Sequence, residues 1–231
     1  MCGRFALFAP ASKIAEVFGV VEPTELRPRY NIAPSQDILA IFEDPEDGET
    51  KSADFRWGLI PSWAKDKKIG YKMINSRSET ARKKPAFRSA FKRRRLLIPA
   101  SGFYEWLRKS KTDKQPWMIR TSDDEPFAIA GLWERWTNPE GEEIRSATIL
   151  TTGPNELMAN IHDRMPVILP KADWARWLDR EVQDGDELEQ LMKSYPADLM
   201  AAHPVPKDVG NVRNQGEHLS QPIKLDDQDE S

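Results

Sequence analysis

The 231-residue sequence predicts an α+β protein: a single β-rich domain with helices inserted between its strands. Two observations lead there. Runs that read as short strands recur along the chain, and the later ones are joined by short connections containing Asp, Gly, Asn and Pro. No repeat, flexible linker or boundary in composition divides the chain before its end. Residues 2–222 therefore read as one domain, and residues 223–231 as an acidic tail expected to be disordered. At this length one domain can bury a proper core.

In chain order, residues 3–9 read as a short strand. From Ser12, the spacing of Ile14, Val17 and Phe18 predicts a helix, with Gly19 as its stop. Residues 29–34 read as a turn-rich connector, 37–43 as a strand, 44–50 as an acidic loop, and 53–60 as the next strand, ended by Gly58 and Pro61. Ser76 and Glu79 have capping-box spacing, which predicts a helix beginning there, just after Asn75. A second short helix is expected over 85–93, beginning at Pro85. Residues 95–99 predict a strand that leads into the segment 100–106, and 116–121, 126–133 and 145–152 predict three more. Asn155 to Asn160 reads as a helical turn. Trp174, Trp177 and Leu178 mark one amphipathic helix, and Leu188, Leu191, Met192 and Tyr195 another. Residues 203–215 read as a closing strand and loop.

Apolar residues make up 39% of the chain and charged residues 31%, the balance of a soluble globular protein. No run approaches the roughly 18–20 apolar residues of a membrane span. The N-terminus lacks a basic segment followed by an apolar stretch, so no secretory signal is read. A cytoplasmic location with no membrane partner is expected. A single cysteine excludes an intrachain disulfide and fits a reducing compartment. One cysteine and three scattered histidines, without a CxxC or HxxxH pattern, predict neither a metal site nor a cofactor. The net charge of −3 argues against bulk attraction to nucleic acid, but the charge is segregated. Between residues 82 and 95 lie Arg82, Lys83, Lys84, Arg88, Lys92, Arg93, Arg94 and Arg95 without one acid. That run is either a field that attracts DNA or a solvated helix face.

The lone cysteine is Cys2. Removal of Met1, normal before so small a residue, leaves an α-amine and a thiol two carbons apart. Their reference pKa values, about 7.7–8.0 and 8.5, keep both partly nucleophilic near neutral pH. An aldehyde meeting this pair can form an imine with the nitrogen, on which the sulfur closes to a five-membered thiazolidine. No interior cysteine can do this. The bland alternative is a small buried hydrophobe.

Seven motifs decide how these observations are read together. They are Cys2-Gly3-Arg4-Phe5, Tyr30-Asn31-Ile32-Ala33-Pro34, Arg56-Trp57-Gly58-Leu59-Ile60-Pro61, Ile74-Asn75-Ser76-Arg77-Ser78-Glu79, Gly102-Phe103-Tyr104-Glu105-Trp106, Gly131-Leu132-Trp133-Glu134 and His162-Asp163-Arg164-Met165-Pro166. In order and spacing the chain resembles the SOS response-associated peptidase family, from Cys2 to about Pro222. The resemblance implies a β-rich α+β domain with a barrel-like antiparallel core and peripheral helices. It implies binding to single-stranded DNA and covalent trapping of abasic sites through the N-terminal cysteine, with a self-processing peptidase activity that exposes it. It places such a protein on the nucleoid when bound to DNA, and a monomer is expected.

Within that resemblance, further residues acquire candidate roles. Glu105, flanked by Tyr104 and Trp106, is the carboxyl expected to help water leave a carbinolamine, its pKa raised by apolar neighbours. The alternative is a solvated strand-end glutamate. His162 is the candidate proton donor, or else a histidine bonded to backbone. Asn75 can hold the sugar or the α-amine, or simply form a turn. Arg4, Arg77 and Arg164 are the expected phosphate contacts, and Trp63 and Trp106 the expected platforms for bases. The other six tryptophans read as core. Two rival functions stay open: a DNA-binding module with an inert Cys2, and an N-terminal-nucleophile amidohydrolase or peptidase.

Overall fold

The computed structural model describes residues 2–108, 110 and 112–225. Among them the strands are β1 (Phe5–Leu7), β2 (Arg29–Ile32), β3 (Asp37–Glu43), β4 (Thr50–Trp57), β5 (Asn75–Arg77), β6 (Arg95–Ala100), β7 (Gly102–Arg108), β8 (Lys114–Thr121), β9 (Phe127–Thr137), β10 (Glu143–Thr152), β11 (Met165–Pro166), β12 (Ile168–Leu169) and β13 (Met200–Pro204). Short helices lie around them: α1 (Ala11–Phe18), α2 (Ser78–Ala81), α3 (Arg88–Arg93), α4 (Glu156–Ala159), α5 (Trp174–Leu178) and α6 (Gly185–Leu191). None is long and apolar enough to cross a membrane.

The strands divide between a closed barrel and an open sheet. Pairing runs β10–β4–β3–β6–β9 and returns from β9 to β10, so five strands close on themselves. Closure leaves no free edge along those pairs. The barrel interior is filled with aromatics at alternating strand positions. Phe42, Phe55 and Trp133 meet edge to face with ring centroids 5.2–5.7 Å apart. The second sheet is open, in the order β13–β8–β7–β1–β2, and antiparallel throughout. Phe5 of β1 packs edge-on against Trp57 of β4 at 5.3 Å, which ties the two sheets together.

The expected antiparallel barrel is corrected at one edge. Both β4 and β5 run parallel to β10. The register shows why. Ser146 and Ala147 of β10 face Arg56 and Trp57, and Ile149 to Thr151 face Asn75 to Arg77. Strands β4 and β5 are thus two pieces of one parallel edge, and residues 58–74 are an excursion inserted at a single step of it. Its neck is narrow. Gly58 (φ 126°) turns the chain out, and its N–H donates to Ala147 O. A Cβ on Gly58 would lie 2.6 Å from Gly70 O, and a Cβ on Gly70 would lie 2.6 Å from Gly58 O, so neither position accepts a side chain. The Trp57 indole N–H donates to Ile74 O and closes the neck.

Several element boundaries differ from the sequence expectation. The connector at 29–34 contains strand β2, because Arg29 and Ile32 pair onto β1 and Asn31 and Ile32 are buried. The strand expected at 53–60 lies at 50–57, ended by the turn at Gly58. The Ser76–Glu79 spacing is not a capping box. Ser76 is a buried β5 residue, and the helix starts at Ser78 after Arg77 without a side-chain cap. The helix expected from Pro85 begins at Arg88, and Tyr195 lies outside α6. Arg95, the end of the basic run, is 2% exposed and donates to the carbonyls of Phe91, Lys92, Trp177, Asp179 and Val182. It holds α3 and α5 against β6. Trp57, Trp133, Trp136 and Trp177 are buried, Trp117 and Trp174 partly so, as expected of core tryptophans. Ile223 N–H donates to Pro204 O, so the chain is still attached there, and the expected acidic tail lies outside the described residues from 226 on.

Candidate functional site

The site forms where the N-terminal segment is held between the two sheets. On one side the register of β1 with β7 (Phe5 opposite Phe103, Ala6 opposite Gly102) carries residues 2–4 along Tyr104–Trp106, and Tyr104 N–H donates to Arg4 O at 2.9 Å. On the other side Asn75 Nδ2 donates to Cys2 O at 2.8 Å. Asn75 is there because β5 resumes the barrel edge after the excursion. Its Oδ1 is buried and has no hydrogen-bond partner among the described residues. A buried amide acceptor left without a donor costs stability, so the site carries an acceptor ready for one.

Glu105 follows Tyr104 on β7 and is 2% exposed. Burial pushes its carboxyl above the ordinary range, and the His162 charge works in the opposite direction. Its Oε2 lies 3.8 Å from His162 Nε2. His162 is positioned by backbone. The N–H groups of Ile161 and His162 both donate to Met158 O at the end of α4, at 2.8 Å each. Arg164 N–H donates to His162 Nδ1 at 3.0 Å. The same Nδ1 lies 3.0 Å from Asp163 Oδ1, and Nε2 is the ring nitrogen that faces Glu105. Cys2 is fully buried, and burial pushes its thiol well above its ordinary range. Charge on Glu105 pushes the same way, while the Arg4 backbone N–H acts against it. The resting thiol is therefore protonated, beside a carboxyl that holds its own proton to a higher pH than usual. A cavity of about 430 Å³ opens onto this cluster, lined by Glu105, Trp106, Ile161, His162 and Asp163, with Arg108 and Lys114 at its side.

Cys2, Asn75, Glu105 and His162 are thus brought together, and Trp106 lines the same cavity. The arginines divide. Arg77 is exposed at the end of β5. Arg4, expected on a phosphate, is 8% exposed and points inward. Its Nη1 donates to Asn31 Oδ1 and Val209 O at 2.6 Å each, and its guanidinium lies 5.9 Å from the Trp106 ring centroid. Buried Asn31 passes the connection on to the carbonyls of Val209, Asn211 and Asn214, so Arg4 anchors the N-terminal segment to the loop after β13. Arg164 is committed to Glu79 through both terminal nitrogens and to Thr151 O. Trp63 stands 60% exposed on the excursion, away from the cavity lining.

Sequence reasoning did not single out three residues that the structure places at the surface of the excursion or in the cavity lining. Tyr71 is as exposed as Trp63, on the same excursion. It falls among Lys65, Lys67, Lys68 and Lys72, an aromatic-within-basic pattern that was visible in the sequence. Arg108 and Lys114 line the cavity. Their signal was the period-2 alternation that puts Arg108 on the same face as Trp106.

A family model described as SOS response associated peptidase (SRAP) matches residues 1–212. The chain belongs to this family. Among its relatives, abasic site processing protein YoqW of Bacillus subtilis is 46% identical over 222 residues, covering 95% of this chain and 98% of that protein. Abasic site processing protein YedK of Escherichia coli is 32% identical over 235 residues, covering 96% and 100%. A solved structure of a protein from Bacteroides thetaiotaomicron superposes with a TM-score of 0.86 at 25% identity, covering 96% of this chain and all of that one. The mixed barrel and its flanking sheet are therefore the family's fold.

Proposed function

We propose that this family member binds single-stranded DNA and, once Met1 is removed, traps abasic sites covalently through Cys2. The reading is carried by one arrangement: the first residues of the chain lie between an Asn75 with a spare acceptor and the Glu105–His162 pair, at the mouth of a cavity. The names of the relatives support the substrate.

The steps balance as follows. The α-amine of Cys2 adds to the C1′ aldehyde of the ring-opened sugar. Glu105, protonated because it is buried, gives its proton to the departing hydroxyl, water leaves, and the N–H proton of the resulting iminium returns to the Glu105 carboxylate as the imine forms. The thiol adds across the C=N bond: sulfur bonds to carbon, and the thiol proton ends on nitrogen. Asn75 Oδ1 receives an N–H of the amine or a sugar hydroxyl. The His162 imidazole serves the sugar oxygen or, in reverse, the leaving sulfur. The peptidase activity in the family name is read here as self-processing of the Met1–Cys2 bond.

The test is intact mass after incubation with an abasic single-stranded oligonucleotide. The expected product is the chain without Met1 plus the DNA minus one water. An acylated nitrogen cannot form the imine, so a sample fully retaining Met1 that still crosslinks overturns the scheme. The complete burial of Cys2 favours one rival, a non-covalent binding module. Cys2→Ala separates them: the denaturation-resistant adduct is lost while affinity for the single strand is kept. Equal unreduced adduct from Cys2→Ala removes sulfur from the product.

A further inference from the structure

Strands β7 and β8 form a hairpin in which Trp106 faces Pro116 and Arg108 faces Lys114. Side chains at i and i+2 share a face, so Trp106, Arg108 and Lys114 line one surface, with about 7 Å of strand between Trp106 and Arg108. Arg108 and Lys114 are like charges directly opposite one another, a pairing that destabilises a sheet. Among the described residues neither has an ion-pair partner. Both are exposed, and both line the cavity that opens on Glu105 and His162. Of the three arginines expected on phosphates, Arg4 faces inward and Arg164 is held by Glu79. Among the described residues, exposed Arg77 and the two hairpin cations Arg108 and Lys114 are left without an ion pair.

Resting on the function proposed above, we infer that Arg108 and Lys114 form a phosphate-binding pair for the nucleotide next to the abasic residue, with Trp106 stacking on that nucleotide's base. The guanidinium fork takes two phosphate oxygens and the ammonium shares the same charge. A phosphate between them relieves the repulsion that the empty hairpin carries. Holding the backbone here sets the abasic sugar over Glu105 and His162, so the pair positions the substrate and takes no part in proton transfer.

The probe is a single-stranded oligonucleotide with a tetrahydrofuran abasic analogue, which has no aldehyde, so binding is read apart from crosslinking. For Arg108→Gln/Lys114→Gln the slope of log K against log salt should be shallower by about 1.4, taking about 0.7 per cation. With a true abasic strand, the concentration for half-maximal crosslinking should rise. The melting temperature of the double variant should equal or exceed that of wild type. Replacing single phosphates by neutral methylphosphonates should find one position, adjacent to the abasic residue, where wild type and variant bind alike. An unchanged slope, a lowered melting temperature, or an equal effect at every methylphosphonate position overturns the inference. If wild type binds as described but never crosslinks, the trapping reaction fails and the binding pair stands.

Discussion

The barrel and the seam beside it follow opposite rules of burial. Inside the barrel, Phe42, Phe55 and Trp133 pack edge to face. In the seam, a thiol and an acid are buried, and a half-buried amide with a buried Oδ1 holds the first residues of the chain. Buried polar groups with incomplete partners cost stability, whereas aromatic burial supplies it. The contrast teaches that the closed barrel carries the free energy that lets the seam keep reactive groups out of water. Substitutions in the two regions should therefore have opposite signatures.

The largest effect is expected in the barrel. Trp133→Ala should lose about 3–5 kcal/mol of stability, read by denaturant unfolding. Crosslinking should fall only as the folded fraction falls; a well-folded variant with selective loss of crosslinking would break the comparison. Glu105→Gln should do the reverse: crosslink formation slowed on the order of 10²–10⁴-fold, with stability retained. Its pH dependence has a definite sign. Burial raises the folded-state pKa of Glu105 above the ordinary value of about 4.3. As pH rises past that value, the unfolded chain ionises first, and the wild type loses stability relative to Glu105→Gln. Melting curves of both proteins between pH 4 and about 7 check this, and a wild type that gains on the variant over that interval contradicts it.

Within the seam, His162 and Glu105 should separate formation from reversal. His162→Ala should still form the crosslink but exchange it more slowly, since the imidazole beside Glu105 is gone. Preformed adduct chased with a second abasic oligonucleotide of different length, on a denaturing gel, reads this. Equal exchange reduces His162 to a shaper of its loop. The smallest effect belongs to Arg77. Wild-type binding should show a log–log salt slope of roughly −2 to −3.5, and Arg77→Ala should make it shallower by about 0.7. An unchanged slope takes Arg77 off the phosphate track.

The two regions also differed in how far the sequence disclosed them. Barrel strands such as 37–43 and 145–152 were legible because short runs of apolar and β-branched residues between turn signals are a local pattern. The parallel edge was not, because which strand lies beside β10 is a long-range matter. For the same reason Ser76 looked like a helix cap and is a buried strand residue. In the site, Cys2, Asn75, Glu105 and His162 were found through the family motifs, and their convergence came only with the pairing of β1 on β7 and β5 on β10. The arginines were the least legible. Residue type says that Arg4 and Arg164 can bind phosphate; only the fold shows Arg4 spent on Asn31 and Val209, and Arg164 on Glu79.

The excursion of residues 58–74 has an engineering consequence. It leaves and rejoins one strand edge at neighbouring rungs of β10, through a waist that admits only two glycines. Its length and composition are therefore decoupled from the barrel's register, and each doubling of such a loop costs only about 0.6 kcal/mol in closure entropy. The segment that displays Trp63 and Tyr71 is a cassette. Exchanged between relatives at Gly58 and Ile74, it should carry its exposed aromatics with it while Asn75, Cys2 and Glu105 stay where they are.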